Sequence, residues 1–141
     1  MLFKYLDDLP QLPNELIKEV YKSMTVNEFQ FPEYRYYKIY DASENLKIFL
    51  NSIFPESYKT KVQVIYNNIA IHKDYGRTVA YNYIITTGGD DAETVFYKEN
   101  LEIYKKFKIE KCRWHRLDVT QYHSVQNLNS ERIAITVFPP V

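Results

Sequence analysis

The stretch ERIAITVF, residues 131–138, reads as a β-strand with both faces committed. Side chains alternate across a strand, so Ile133, Ile135 and Val137 share one face, and Arg132, Ala134 and Thr136 share the other. The first face is core material. The second sets a guanidinium and a hydroxyl on an apolar strand, and needs either water or a bound polar group beside it. Upstream, the runs KVQVIY (61–66), NIAIHKD (68–74), TVAYNYIITT (78–87), ETVFY (93–97) and WHRLDV (114–119) are equally short and equally rich in Val, Ile, Thr and Tyr. Turn-forming NN, GGDD, VTQ and QNLNS punctuate them. Many short strands at such spacing predict a closed or double-sheet β core, which removes exposed strand edges by wrapping the sheets.

The first sixty residues differ. In PNELIKEVYKSM (13–24), Leu16, Ile17, Val20, Tyr21 and Met24 recur at helical spacing behind a Pro13–Asn14 start. In DASENLKIFLNSIFP (41–55), Asp41 and Glu44 have the spacing of a capping box, Leu46, Phe49, Leu50 and Ile53 form an apolar stripe, and Pro55 ends it. Both stripes are expected to face the core. FQFPEYRYYKIYD (29–41) reads as one or two strands, with Phe29, Phe31, Tyr34, Tyr36, Tyr37 and Tyr40 as packing. KENLEIYKKFKIEK (98–111) follows neither period and stays unassigned.

Composition excludes some functions and favours others. With 141 residues the chain is one domain that can bury a core without staples, and 14 tyrosines against 3 glycines suit a β-rich fold. Eighteen basic residues balance 18 acidic ones, so no global charge points to nucleic acid or an anionic membrane. A single cysteine, Cys112, forms no internal disulfide and belongs to no zinc motif, which fits a reducing, cytoplasmic setting. Residues 1–13 lack the apolar run of a signal peptide or membrane span.

Chemistry concentrates around the histidines, of which there are 3. On an extended strand, Ala70, His72 and Asp74 would share one face and Ile69 and Ile71 the other. His123 follows about fifty residues later, just ahead of the Arg132 strand. Two imidazoles and one carboxylate are the ligand set that holds one face of an octahedral ferrous iron and leaves three positions open. A guanidinium forks onto a carboxylate through two parallel hydrogen bonds, so a buried Arg132 is suited to anchoring a dicarboxylic acid.

His72-Lys73-Asp74, the RTVAYNYI strand, the Gly88-Gly89 pair with Glu93–Tyr97, and above all HSVQNLNSERIAITV (123–137) resemble the iron(II)- and 2-oxoglutarate-dependent dioxygenases, in particular their prolyl-hydroxylase-like branch. The resemblance covers residues 69–137, about half the chain. It implies a mainly β (α+β) domain over 1–141: a double-stranded β-helix, or cupin-like jelly roll, over 61–141, with helices and a strand of residues 1–60 supporting one sheet. It implies Fe(II) held by His72, Asp74 and His123, and 2-oxoglutarate held by Arg132 with further contacts from Tyr66, Asn82 and Thr136. The implied activity is a hydroxylase that consumes O2 and converts 2-oxoglutarate to succinate on a small-molecule or peptide substrate. The alternative is a non-catalytic jelly-roll module that binds a metal, sugar or small carboxylate. GGDDAETVFY places extra residues between the glycine pair and the threonine, so a reshaped rim is expected. His115 is expected to serve packing or the rim, and Arg77 to sit in solvent.

Overall fold

The computed structural model describes residues 1–26, 28–29 and 36–140, so Phe31 and Tyr34 lie outside the described residues. Two antiparallel sheets enclose the interior. The larger has the order β1 (Phe3–Tyr5), β9 (Trp114–Asp118), β6 (Val79–Thr86), β11 (Arg132–Phe138), β4 (Lys59–Ile65), β3 (Tyr37–Asp41) and β2 (Glu28–Phe29). The smaller has the order β5 (Ile69–His72), β10 (His123–Gln126), β7 (Glu93–Tyr97) and β8 (Ile103–Phe107). Every run expected as a strand forms one, and β8 lies inside the unassigned segment. β1 and β3 come from the first sixty residues yet are hydrogen-bonded into the larger sheet.

β11 sits between β6 and β4, and every residue from Arg132 to Val137 is buried. Its outward Ile133, Ile135 and Val137 pack with Tyr83, Trp114, Val62 and Val64 under helices α1 (Asn14–Val26) and α2 (Glu44–Asn51). Val20, Leu46 and Leu50 press onto that face with no exposed surface. Each such leucine contributes roughly 1.5–3 kcal/mol by leaving water. Helices this short depend on such packing more than on propensity. Among the described residues no helix is long and apolar enough to cross a membrane.

The capping box does not form. Ser43, not Asp41, is the N-cap of α2, and it makes no side-chain cap hydrogen bond. Asp41 instead ends β3, where it lies opposite Lys61 and pairs with its ammonium. Ser43 turns to α1: its hydroxyl donates to Glu19 Oε1 at 3.1 Å and its backbone N–H donates to Ser23 Oγ at 2.8 Å. Cross-strand pairing thus takes the carboxylate expected to cap the helix, and helix–helix contact takes the hydroxyl of the residue that stands at the N-cap.

The inner faces of the two sheets meet through Ala80, Ile84, Phe96, Leu117 and Ala134, with Ile109 and Val119 from the connections. Alternation on β11 holds as expected, with Arg132, Ala134 and Thr136 turned inward to line a cavity of about 620 Å³. On β5 it fails. Val125 pairs with Ile69 but His123 pairs with His72, so two steps along β10 face three steps along β5 in a β-bulge. Such a bulge re-aims one side chain relative to its neighbours. Ile69 packs inward against Ile65 and Val125, Ala70 and Ile71 are exposed, and His72 again reaches the cavity.

Candidate metal and anion site

His72 closes β5, Asp74 lies two residues beyond it, and His123 opens β10 directly opposite His72. Asp74 is fixed after the strand by its backbone N–H, which donates to Val119 O at 3.0 Å. One ligand atom from each of the three residues lies within 4.8 Å of the others. Asp74 Oδ1 is 3.2 Å from His72 Nε2 and 3.3 Å from His123 Nε2, and the two rings stand 4.3 Å apart between centroids.

The backbone decides the ring tautomers. His72 Nδ1 lies 2.8 Å from Ala70 O and His123 Nδ1 lies 2.7 Å from Gln121 O. A carbonyl oxygen only accepts, so each Nδ1 carries a proton, and a ring whose Nε2 gives up its proton on binding a metal presents the Nε2 lone pair to it. This is the second-shell arrangement that orients metal-binding imidazoles. Burial works against ionisation of Asp74, but hydrogen bonds from His123 and His72 and the charge of Arg77 outweigh it and hold the carboxyl well below the usual carboxylate range. The hydrogen bond to Asp74 raises the His72 pKa against the effect of burial. An ionised carboxylate with two imidazole lone pairs suits a divalent first-row metal.

The same cavity holds a second demand of opposite sign. Arg132 is 4% exposed. Its Nε donates to Thr87 O at 2.9 Å and its Nη1 to Thr94 Oγ1 at 3.1 Å, while Nη2 is buried with no partner among the described residues. Both bonded partners are neutral, and burial pulls the guanidinium down to about 10. A charge buried in this way is costly unless something anionic joins it. Arg132 lines the cavity, so an anion would reach it from there.

Thr136 and Asn82 are directly paired across β11 and β6, and both line the cavity. Asn82 Oδ1 is a further buried polar atom with no partner among the described residues. His115, paired across β6 and β9 with Asn82, is 1% exposed and packs its ring 5.6 Å from that of Phe3. Burial, helped by the charge of Arg132, pushes its pKa down to about 4. His115 thus combines the packing role expected of it with a place in the cavity wall.

Two residues sit differently from expectation. Tyr66 is absent from the cavity lining, where Tyr36 and Tyr37 appear instead. Its run straightens into a turn after β4, with its backbone N–H bonded to Tyr36 O. Arg77 is not in solvent, because its Nε donates to Asp74 Oδ2 at 2.9 Å. Nothing in the sequence pointed to Thr87 or Thr94, since no local pattern specifies that the corner after β6 and a strand of the opposite sheet supply the oxygens that meet Arg132. The glycine pair does bear on that contact. Gly88 has φ +89°, and a Cβ there would lie 2.6 Å from Leu128 Cδ2 and 3.0 Å from Ser130 O, so only glycine lets the corner after Thr87 fit against the turn that leads into β11.

Solved structures with the same fold include 2OG-Fe(II) oxygenases and oxalate decarboxylases. A 2OG-Fe(II) oxygenase family oxidoreductase from Burkholderia pseudomallei matches with a TM-score of 0.64 at 12% identity, over 91% of this chain and 82% of that one. A Pseudomonas putida prolyl-4-hydroxylase matches with 0.63 at 11% identity, over 99% and 92%. The fold is the double-stranded β-helix of these oxygenases. A prolyl hydroxylase from Trichoplax adhaerens, in complex with a hypoxia inducible factor oxygen degradation domain peptide fragment, matches with 0.61 at 14% identity, over 96% and 82%. No family model and no curated protein sequence matches this chain.

Proposed function

We propose that this protein is an Fe(II)- and 2-oxoglutarate-dependent dioxygenase that hydroxylates a small-molecule or peptide substrate. The observation that carries the reading is the pairing of two unmet demands in one cavity: a His72–Asp74–His123 donor set, and a buried Arg132 whose Nη2 has no partner among the described residues. Neither a sugar site nor a purely structural jelly roll accounts for both. The donor set fits ferrous iron by its chemistry, two neutral imidazoles and one carboxylate.

His72 and His123 would hold the metal through Nε2 and Asp74 through Oδ1. Arg132 would take the far carboxylate of 2-oxoglutarate through Nη2, with Thr136 and Asn82 supplying hydrogen bonds along the way. Tyr66 is left out of the proposed set. The apolar walls, Ala80, Ile84, Leu117 and Ala134, would exclude water from the reacting end. When bound, the iron supplies activation of O2, so that one oxygen atom enters succinate as 2-oxoglutarate loses CO2 and the other enters a C–H bond of the substrate. Tyr75, 93% exposed at the mouth, is placed to meet a substrate from outside.

The test is Fe(II)-dependent succinate formation, measured with wild type and with Asp74→Ala. Wild type should release succinate and the variant should release none above a metal-free control. Turnover that survives the substitution refutes the ligand assignment. A wild type that binds metal but shows no affinity for 2-oxoglutarate refutes the oxygenase reading in favour of a binding module.

A further inference from the structure

Arg77 has no part in the function proposed above, yet it is built into the site. The two oxygens of Asp74 are divided: Oδ1 faces both imidazoles at 3.2 and 3.3 Å, and Oδ2 accepts from Arg77 Nε at 2.9 Å. Neither partner is loose, with the Arg77 side chain 22% exposed and that of Asp74 13% exposed. The guanidinium carbon also lies 4.4 Å from the centroid of the Phe138 ring, at the end of β11. Gly76, at φ +81°, lets the chain double back so that Arg77 returns to the carboxylate three residues earlier. The neighbouring cation does not compete, because Lys73 Nζ is 3.3 Å from Glu99 Oε1 and 4.4 Å from the Tyr122 ring centroid.

We infer that Arg77 is a positioning residue that reserves Asp74 Oδ2, so that the carboxylate offers a metal one oxygen only. The inference rests on the oxygenase reading, and a count of coordination positions gives it its consequence. A six-coordinate ion held by two imidazoles and one carboxylate oxygen keeps three positions. 2-Oxoglutarate takes two of them through its keto-acid end and O2 takes the third. A carboxylate bound through both oxygens leaves only two, so cosubstrate and oxygen can no longer bind together. Arg77 also sets a positive charge beside the cation site, which opposes metal binding electrostatically. Its purpose is therefore an open coordination sphere rather than tighter metal retention.

This separates Arg77 from a residue that merely supports the fold. In Arg77→Met, Mn(II) affinity measured by calorimetry should stay within threefold of wild type or tighten. 2-Oxoglutarate affinity at saturating Mn(II) should also stay within threefold, because two open positions are enough for its keto-acid end. What should fall, at least tenfold, is the affinity of the anaerobic Fe(II)–2-oxoglutarate complex for nitric oxide, a stand-in for O2 read by its electron paramagnetic resonance signal. Arg77→Gln, which keeps a donor for Oδ2 without the charge, should recover most of the nitric oxide affinity. Wild-type nitric oxide affinity in Arg77→Met overturns the inference, and so does a joint loss of metal and 2-oxoglutarate that Arg77→Gln shares. A wild type that takes up neither Mn(II) nor 2-oxoglutarate overturns the oxygenase reading, and Arg77's role with it.

Discussion

Replacing Arg132 with Met should leave the ligand-free protein almost as stable as before while removing its hold on 2-oxoglutarate. Arg132 is 4% exposed, and burial pulls its pKa well down to about 10. At about 1.36 kcal/mol per pK unit, keeping the charge inside costs about 3 kcal/mol. A cation with a depressed folded pKa carries this cost in full below that pKa and sheds it only above. The cost is therefore constant across the neutral range. Met fills most of the same volume without the charge, and so recovers it. Against this, Thr87 O and Thr94 Oγ1 lose their donor. Each lost bond and stranded acceptor costs about 1–2 kcal/mol. The terms nearly cancel, and urea unfolding at pH 7 should show a change within about 2 kcal/mol. Binding has no such compensation. A guanidinium–carboxylate contact of two charge-assisted hydrogen bonds is worth at least about 3 kcal/mol, or more than about a hundredfold in Kd. Calorimetric titration of 2-oxoglutarate into Mn(II)-saturated protein measures that loss. Unchanged affinity refutes the anion assignment. A destabilisation above about 4 kcal/mol refutes the claim that the charge is uncompensated in the empty protein.

The pocket wall carries a separate acid sensitivity. The unfolded chain protonates His115 near 6.5 and the folded one only at about 4. Its contribution is thus complete above pH 6.5 and drains away as pH falls towards 4, by up to about 3 kcal/mol. His115→Phe should lose that component, and the wild-type minus variant difference in urea-unfolding free energy should shrink between pH 7 and pH 4.5; a difference that does not move with pH contradicts the buried, neutral imidazole. Gly88→Ala forces a Cβ against Leu128 and Ser130 at φ +89°. It should cost about 1–3 kcal/mol and, by shifting the turn before Arg132, weaken 2-oxoglutarate binding more than Mn(II) binding. Equal weakening of both would show that the corner does not aim Arg132.

How much of this was legible in the chain follows from what each signal depends on. Alternation along residues 131–138 depends only on strand geometry, and it correctly divided Ile133, Ile135 and Val137 from Arg132, Ala134 and Thr136. The same rule misplaced Ile69, because a bulge is a property of two strands and β10 had to be paired with β5 to reveal it. Asp41 and Glu44 have capping spacing, yet Lys61 across the sheet claimed Asp41, a partner twenty residues away that no local pattern names. The grouping of His72, Asp74 and His123 was visible because its residue types are chemically unusual on apolar strands. The neutral oxygens that receive Arg132 and the guanidinium that takes Asp74 Oδ2 were not, because threonines and arginines are commonplace and only proximity gives them meaning.

The two ends of the cavity rest on very different supports. Arg132 stands on β11, flanked on both sides by hydrogen-bonded strands and roofed by the helices, whereas His72 stands on β5, the border of the smaller sheet. Amide hydrogens along β11 should thus exchange only when much of the fold opens, whereas those of β5 should exchange through local opening. A dicarboxylate bound as proposed would therefore meet a fixed post at its distal end, while the coordinating end would have room to adjust as it closed around an ion.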